Sequence, residues 1–153
     1  MRKIDQNDRK ILRLLQAQGR LSNIELAEKI ALSPTATTER VKRLTREGYI
    51  AGYSARLSPE KLGRGLLVFV EIKLERTTPD IFDSFAAAVK NSDDVMECHM
   101  VAGGFDYLVK ARVAGMEAYR TFLSETILTL PGVRETHTYV VMEEIKHRGD
   151  LPV

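Results

Sequence analysis

The stretch from Ser22 to Gly48, SNIELAEKIALSPTATTERVKRLTREG, constrains the fold of this chain more than any other. Ser22 and Glu25 form an S-x-x-E capping box, in which two helix-start N–H groups are satisfied reciprocally. Ile24, Leu26, Ala27 and Ile30 follow as an apolar stripe, and Ala27 is small enough for a second helix to cross closely. Ala31-Leu32 breaks the pattern. Ser33 then acts as an N-cap, and Pro34 suits the first helical position because its missing N–H would be unpaired there anyway. Gly48 ends the second helix as a C′ glycine does. Two short helices joined by a tight turn make a helix-turn-helix unit.

On a wheel of about 100° per residue the second helix is two-sided. Thr37, Val41 and Leu44 face a core. Thr35, Thr38, Glu39, Lys42, Arg43 and Arg46 spread over the other side, with Ser33 at its start. Short hydroxyls reach base edges or phosphates, and Lys and Arg reach guanine or the backbone, so this set suits a DNA groove. A solvated, charged helix face is the plainer alternative. A preceding helix, Asp5 to Gln18, is capped by Asp5 and buries Ile4, Ile11, Leu12, Leu14 and Leu15, which completes a three-helix core.

Charge separates the two halves. The chain is near neutral at +2, from 23 basic and 21 acidic residues. Residues 1–64 carry 14 Lys and Arg against 7 Asp and Glu, a net of +7; residues 65–153 carry 9 against 14, a net of −5. The positive half is the one with the helix pair, so double-stranded DNA is the expected partner. The charge shift and a change of hydrophobic period near residue 60 predict a helix-turn-helix domain over 1–52, a linker strand or hinge over 53–65, and a second domain over 66–153. Tyr49 to Leu57 reads as a short strand leading through that hinge.

Several function classes lose support. The N-terminus, MRKIDQNDRK, is polar and charged, and no apolar run approaches the roughly 18 residues of a membrane span, so a cytoplasmic protein is expected. Cys98 stands alone and reads as a small core or interface residue. His99, His137 and His147 lack metal-site spacing. There is no phosphate loop, hydrolase elbow or Ser/His/Asp arrangement. No catalytic residue, metal or cofactor is expected, and the sequence argues against an enzyme.

The second half alternates between two periods. Leu66–Arg76 is a strand with Leu66, Val68, Val70, Ile72 and Leu74 on one face. Thr78-Pro79 opens a helix that buries Ile81, Phe82, Phe85, Ala86 and Val89. Strands over 95–102 and 105–113 flank a Gly103-Gly104 turn. A helix from Met116 to Leu130 stops at Pro131-Gly132, and a fourth strand covers 136–145. The order β-α-β-β-α-β predicts an α+β, ferredoxin-like sandwich with both helices on one sheet face. Leu67 and Phe69 lie on the other face and are too apolar for water, which predicts face-to-face packing in a homodimer.

The chain resembles the Lrp/AsnC family of bacterial and archaeal transcription regulators. The likeness lies in DQNDRKIL, ELAEKIALSP, ERVKRLTREGYIAGY, LLVFVEI, GGFDYLVK and LPGVRETHTYVVMEEIK, and it spans nearly the whole chain. It implies a winged helix-turn-helix domain followed by a ferredoxin-like effector domain. It also implies dimers that assemble into octamers or related discs, a nucleoid-associated place, and a response to leucine or another apolar amino acid held where dimers meet. By resemblance, Met100, Gly103, Gly104, Phe105, Asp106, Met116, Tyr139, Val140 and Val141 line or support the effector region. Read from the residues alone, Gly103-Gly104 is a turn and Asp106 its cap. Two departures from the family stand out. Gly104 replaces a frequent acidic residue, and Ala31 replaces a usual glycine, with strain if its φ is positive. An architectural, largely non-specific DNA-packing protein is the alternative function.

Overall fold

Asp5 begins the first helix, α1 (Gln6–Ala17), through a reciprocal capping box with Asp8, of which the sequence pattern reveals only the Asp5 half. The Asp5 carboxylate accepts from the Asp8 N–H at 2.8 Å, and the Asp8 carboxylate accepts from the Asp5 N–H at 3.0 Å. The computed structural model describes residues 3–147 and 149–153; Met1 and Arg2 of the polar N-terminus lie outside them. It divides into two compact units. One comprises the residues up to Arg56 together with Lys146–Val153, and the other is Leu57–Ile145.

In the first unit α1 is followed by α2 (Asn23–Ile30) and α3 (Pro34–Arg46). Ser22 and Glu25 form the expected reciprocal cap, and Ser33 Oγ accepts from the Ala36 N–H at 3.2 Å. Ile11, Leu12, Leu15, Leu26, Ile30 and Leu44 make the core. Gly48 takes φ 79°, which lets the Tyr49 N–H turn back to the Leu44 carbonyl at 2.9 Å. The strand expected over Tyr49–Leu57 does not form. A strand needs a neighbour to accept its N–H groups, and no described segment pairs with this one.

The second unit contains β1 (Leu66–Leu74), α4 (Pro79–Lys90), β2 (Val95–Met100), β3 (Tyr107–Val113), α5 (Met116–Phe122) and β4 (Val133–Val140). All strand pairs are antiparallel, in the order β2-β3-β1-β4. Val68, Val70 and Ile72 of β1 meet Val109 and Ala111 of β3, and Phe85, Tyr119 and Ile127 cover them from the helix side. Phe85 stacks on Tyr107 with ring centroids 4.2 Å apart.

Three local expectations change. Thr78 occupies the N-cap of α4, but its hydroxyl makes no bond to a helix N–H and serves Asp80 instead. The helix predicted to run from Met116 to Leu130 stays α-helical only to Phe122 and continues as a π-turn over Leu123–Ile127. The buried Phe122 and Ile127 are five residues apart, too far for one face of an α-helix. The i to i+5 bond from the Leu128 N–H to the Leu123 carbonyl, 2.9 Å, takes up the extra residue. Finally, β4 starts at Val133 and ends at Val140, because past Val141 its partner β1 has run out.

Candidate DNA-binding and effector sites

The turn before α3 is held by backbone geometry. Ala31 closes α2 at φ 55°, ψ 48°, the left-handed region that the departure from glycine put in question. Thr37 is fully buried, and its hydroxyl donates to the Ser33 carbonyl at 3.0 Å. That leaves Ser33, Thr35, Glu39, Lys42 and Arg46 exposed along one side of α3, with Thr38 half-buried beside them. Lys42 and Glu39 pair at 3.2 Å on the open surface, where such a pair contributes little.

Arg43 does not join that side. Its guanidinium donates to the Asp8 carboxylate at 2.6 Å, and only 16% of its side chain is exposed. Arg40 donates to Asp8 at 2.8 Å and to Asp5 at 2.7 Å. Asp8 itself is completely buried. Burial pushes its carboxyl up, but the Asp5 N–H and the Arg43 and Arg40 guanidiniums outweigh that and hold it below the ordinary value. The Asp8 N–H and Arg40 lower Asp5 to about 2. No local pattern marks Asp8 out as an arginine anchor in the sequence, because Arg40 and Arg43 lie 32 and 35 residues away.

The residues assigned to an effector divide between the two ends of the sheet. Met100 faces Tyr107 across the β2–β3 ladder, and the 101–106 loop follows it. Asp106 pins this loop to β1. Its Oδ2 accepts from the Leu74 N–H at 2.7 Å and its N–H donates to the Ile72 carbonyl at 2.9 Å. Neither Gly103 nor Gly104 takes a positive φ, and a Cβ on either would meet open space. A cavity of about 240 Å³ lies here, lined by Gly104, Phe105, Glu71, Lys73, Glu135 and His137. Strand register makes it: Glu71 faces His137, and Lys73 faces Glu135. Sequence reasoning misses this quartet, although the alternation of β1 carries its first two members.

Tyr139, Val140 and Val141 lie towards the other end, where Tyr139 faces Phe69 and Val140 faces Val68. Met116 follows Val113, the far end of β3. Along the strands, Met116, Val140 and Val141 are separated from the loop by roughly 10–20 Å, and one subunit does not bring them to the cavity. Tyr139 reaches back towards it through Glu71, which lines the cavity. The Glu71 charge beside Tyr139, with a hydrogen bond, raises the Tyr139 hydroxyl above its ordinary value.

On the open sheet face Leu67 is already buried within the chain, and Phe69 is half-buried. Arg112, opposite Leu67, is buried with Glu144 on its guanidinium. Glu97 pairs with Lys110 at 2.7 Å, and that bond lowers its carboxyl. Cys98 points to the helix side, and burial pushes its thiol up to about 11. No group of three possible metal ligands occurs among the described residues. No helix among them is long and apolar enough to cross a membrane.

Known proteins match both units. Residues 4–51 fit the winged helix-turn-helix DNA-binding family model, and residues 67–151 fit the Lrp/AsnC ligand binding domain. The chain is 54% identical over 150 residues to the leucine-responsive regulatory protein of Salmonella typhimurium, covering 98% of this chain and 92% of that one. Among solved structures, a transcriptional regulator–L-Met complex from Neisseria meningitidis superposes with a TM-score of 0.93 at 39% identity, over 98% of this chain and 97% of that one. An AsnC family transcriptional regulator from Agrobacterium tumefaciens gives 0.92 at 32% identity, over 97% of each chain.

Proposed function

The chain belongs to the Lrp/AsnC family of transcription regulators, and we propose how its residues divide that work. Ser33, Thr35, Thr38, Glu39, Lys42 and Arg46 form the DNA-facing side of α3. Arg43 acts from behind, fixing α3 to the start of α1. The observation that carries this reading is the split among the α3 cations: Lys42 and Arg46 stand open, while Arg43 is spent on Asp8. Regulation rather than catalysis is the role, and a DNA partner supports a place in the cytoplasm, at the nucleoid.

The effector is an apolar amino acid such as leucine or methionine, the ligands that the names of its relatives carry. The loop end of the sheet receives its charged groups. Glu71 and Lys73 supply opposite charges there, and Asp106 serves by holding the loop in position. Tyr139 joins the site within the same subunit through Glu71, while Met116, Val140 and Val141 complete it from a neighbouring subunit, because within one subunit they lie at the other end of the sheet. Assembly is supported by apolar side chains left in water: Met142 is fully exposed, and Met100, Tyr139 and Ile145 are largely so. Phe69 and Tyr139 mark the sheet face that a second copy covers, giving a dimer and then larger discs.

One set of titrations tests the reading. A DNA site enriched from a random library is titrated with wild type and with Lys42→Ala/Arg46→Ala over a range of salt. The log–log salt slope should shrink by about 0.9 for each phosphate that the variant no longer neutralises. An unchanged slope and affinity would remove this side of α3 from the groove. Equal affinity for enriched and scrambled DNA would favour an architectural packing protein. A thermal-shift screen of the twenty amino acids identifies the effector, since ligand at 100 times its Kd stabilises by about 2.7 kcal/mol.

A further inference from the structure

The chain passes between its two units twice, at Arg56–Leu57 and again at Ile145–Lys146. After the second crossing it returns to α1. There the Gln16 carboxamide takes both main-chain groups of Leu151. Its Nε2 donates to the Leu151 carbonyl at 3.0 Å, and the Leu151 N–H donates to its Oε1 at 2.7 Å. A side chain thus offers the paired donor and acceptor that a neighbouring strand residue would. Arg13 Nε donates to the Val153 carbonyl, and Val153 packs against the helix core. Arg56 steadies the approach by donating to the His147 carbonyl at 3.3 Å.

These anchors are few and wet. Arg13, Gln16 and Leu151 are all exposed. Each hydrogen bond replaces one to water, whereas each residue held gives up backbone freedom. The opposing contributions are of similar size, which is the condition under which a segment can be released at low cost. Val141 precedes Lys146 by only five residues. Whatever holds or moves the end of β4 therefore acts on a short covalent lead to this segment.

We propose that the outer face of α1, at Arg13 and Gln16, is a docking surface for the extended segment 149–153 of this same chain. Its docking and release transmit the state of the β4 end to the DNA-binding unit. The transmission rests on the amino-acid response proposed above; the docking does not.

The test uses the full chain and Gln16→Ala, which removes both bonds to Leu151 and keeps a strong helix former in α1. Amide hydrogen exchange at Leu151 reports docking, and operator titration with and without L-leucine or L-methionine reports transmission. The variant should lose about tenfold of the protection at Leu151. Its operator Kd without amino acid should stay within about twofold of wild type, while the shift caused by the amino acid falls to less than about a third. Deleting residues 149–153 should give the same split. An unprotected Leu151 amide in wild type overturns the docking. Lost protection with a full response overturns the transmission. A wild type that answers neither amino acid while Leu151 stays protected overturns the response and the transmission together, and upholds the docking.

Discussion

Ala31 offers a direct measure of how the helix-turn-helix turn is held. It is the only non-glycine residue with positive φ among those described, at φ 55° and ψ 48°. A side chain in that region costs about 1–2 kcal/mol, because Cβ crowds the following carbonyl oxygen. Ala31→Gly removes that cost. It also loosens the unfolded chain, which opposes the gain by about 0.4–1 kcal/mol. The bonds through the turn stay as they are, including the Leu32 N–H to the Ala27 carbonyl at 3.1 Å. The net expectation is a gain of about 0.5–1 kcal/mol in the DNA-binding unit. For a domain of this size that raises Tm by about 4 °C. Differential scanning calorimetry would read the shift, with urea unfolding as a second measure. Ala31→Val should move the other way, since a β-branched side chain tolerates this region worst. A lower Tm for the glycine variant, or a neutral valine variant, would mean that the turn has no left-handed residue in solution.

Three further outcomes follow from the geometry. Asp8→Ala strips the buried partner from Arg40 and Arg43 and should cost the DNA-binding unit about 3–5 kcal/mol in urea unfolding; a loss below about 1 kcal/mol would contradict a buried pair. Asp5 is lowered to about 2, so its contribution is present above the ordinary carboxyl value near 4 and is lost as pH falls through about 2. The urea midpoint should therefore drop between about pH 4 and pH 2, and a flat profile there would refute the linkage. Gly132 has φ 73°, and a Cβ on it would stand 2.7 Å from Ile81 Cγ2. Gly132→Ala should thus destabilise the sheet unit by about 2–4 kcal/mol, combining backbone strain and overpacking, with an unchanged calorimetric midpoint as the refuting result.

What the sequence disclosed and what it hid divide by distance along the chain. Ser22 with Glu25, and Ser33 with Pro34, are bonds and preferences within three residues, so the helix starts could be read in place. The alternation of Leu66 to Leu74 and the spacing of Ile81, Phe82 and Phe85 announced the sandwich in the same local way. Asp8 looks like an ordinary polar residue of a helix start, because Arg40 and Arg43 meet it only after three helices have packed. The cavity beside Gly104 needs the register of β1 on β4, which joins residues more than sixty positions apart. The π-turn is hidden for a subtler reason: Leu123, Ile127 and Leu130 fit an α-helical period well enough by themselves. Tyr49–Leu57 misleads in the opposite direction, with strand-forming residues but no strand to pair with.

The cage around Asp8 also limits how this molecule can be altered. A recognition helix is the natural part to exchange when new DNA sites are wanted. Here α3 carries two guanidiniums whose counter-charge sits on α1. A helix transplanted from a regulator without arginines at positions 40 and 43 would leave a buried carboxylate with no cation. A donor helix that kept those arginines beside a host without Asp8 would leave Arg43 without its carboxylate and Arg40 with Asp5 alone. The graft that preserves the fold is therefore larger than the surface that reads DNA: it must bring the first turn of α1 along with α3, or keep positions 40 and 43 from the host.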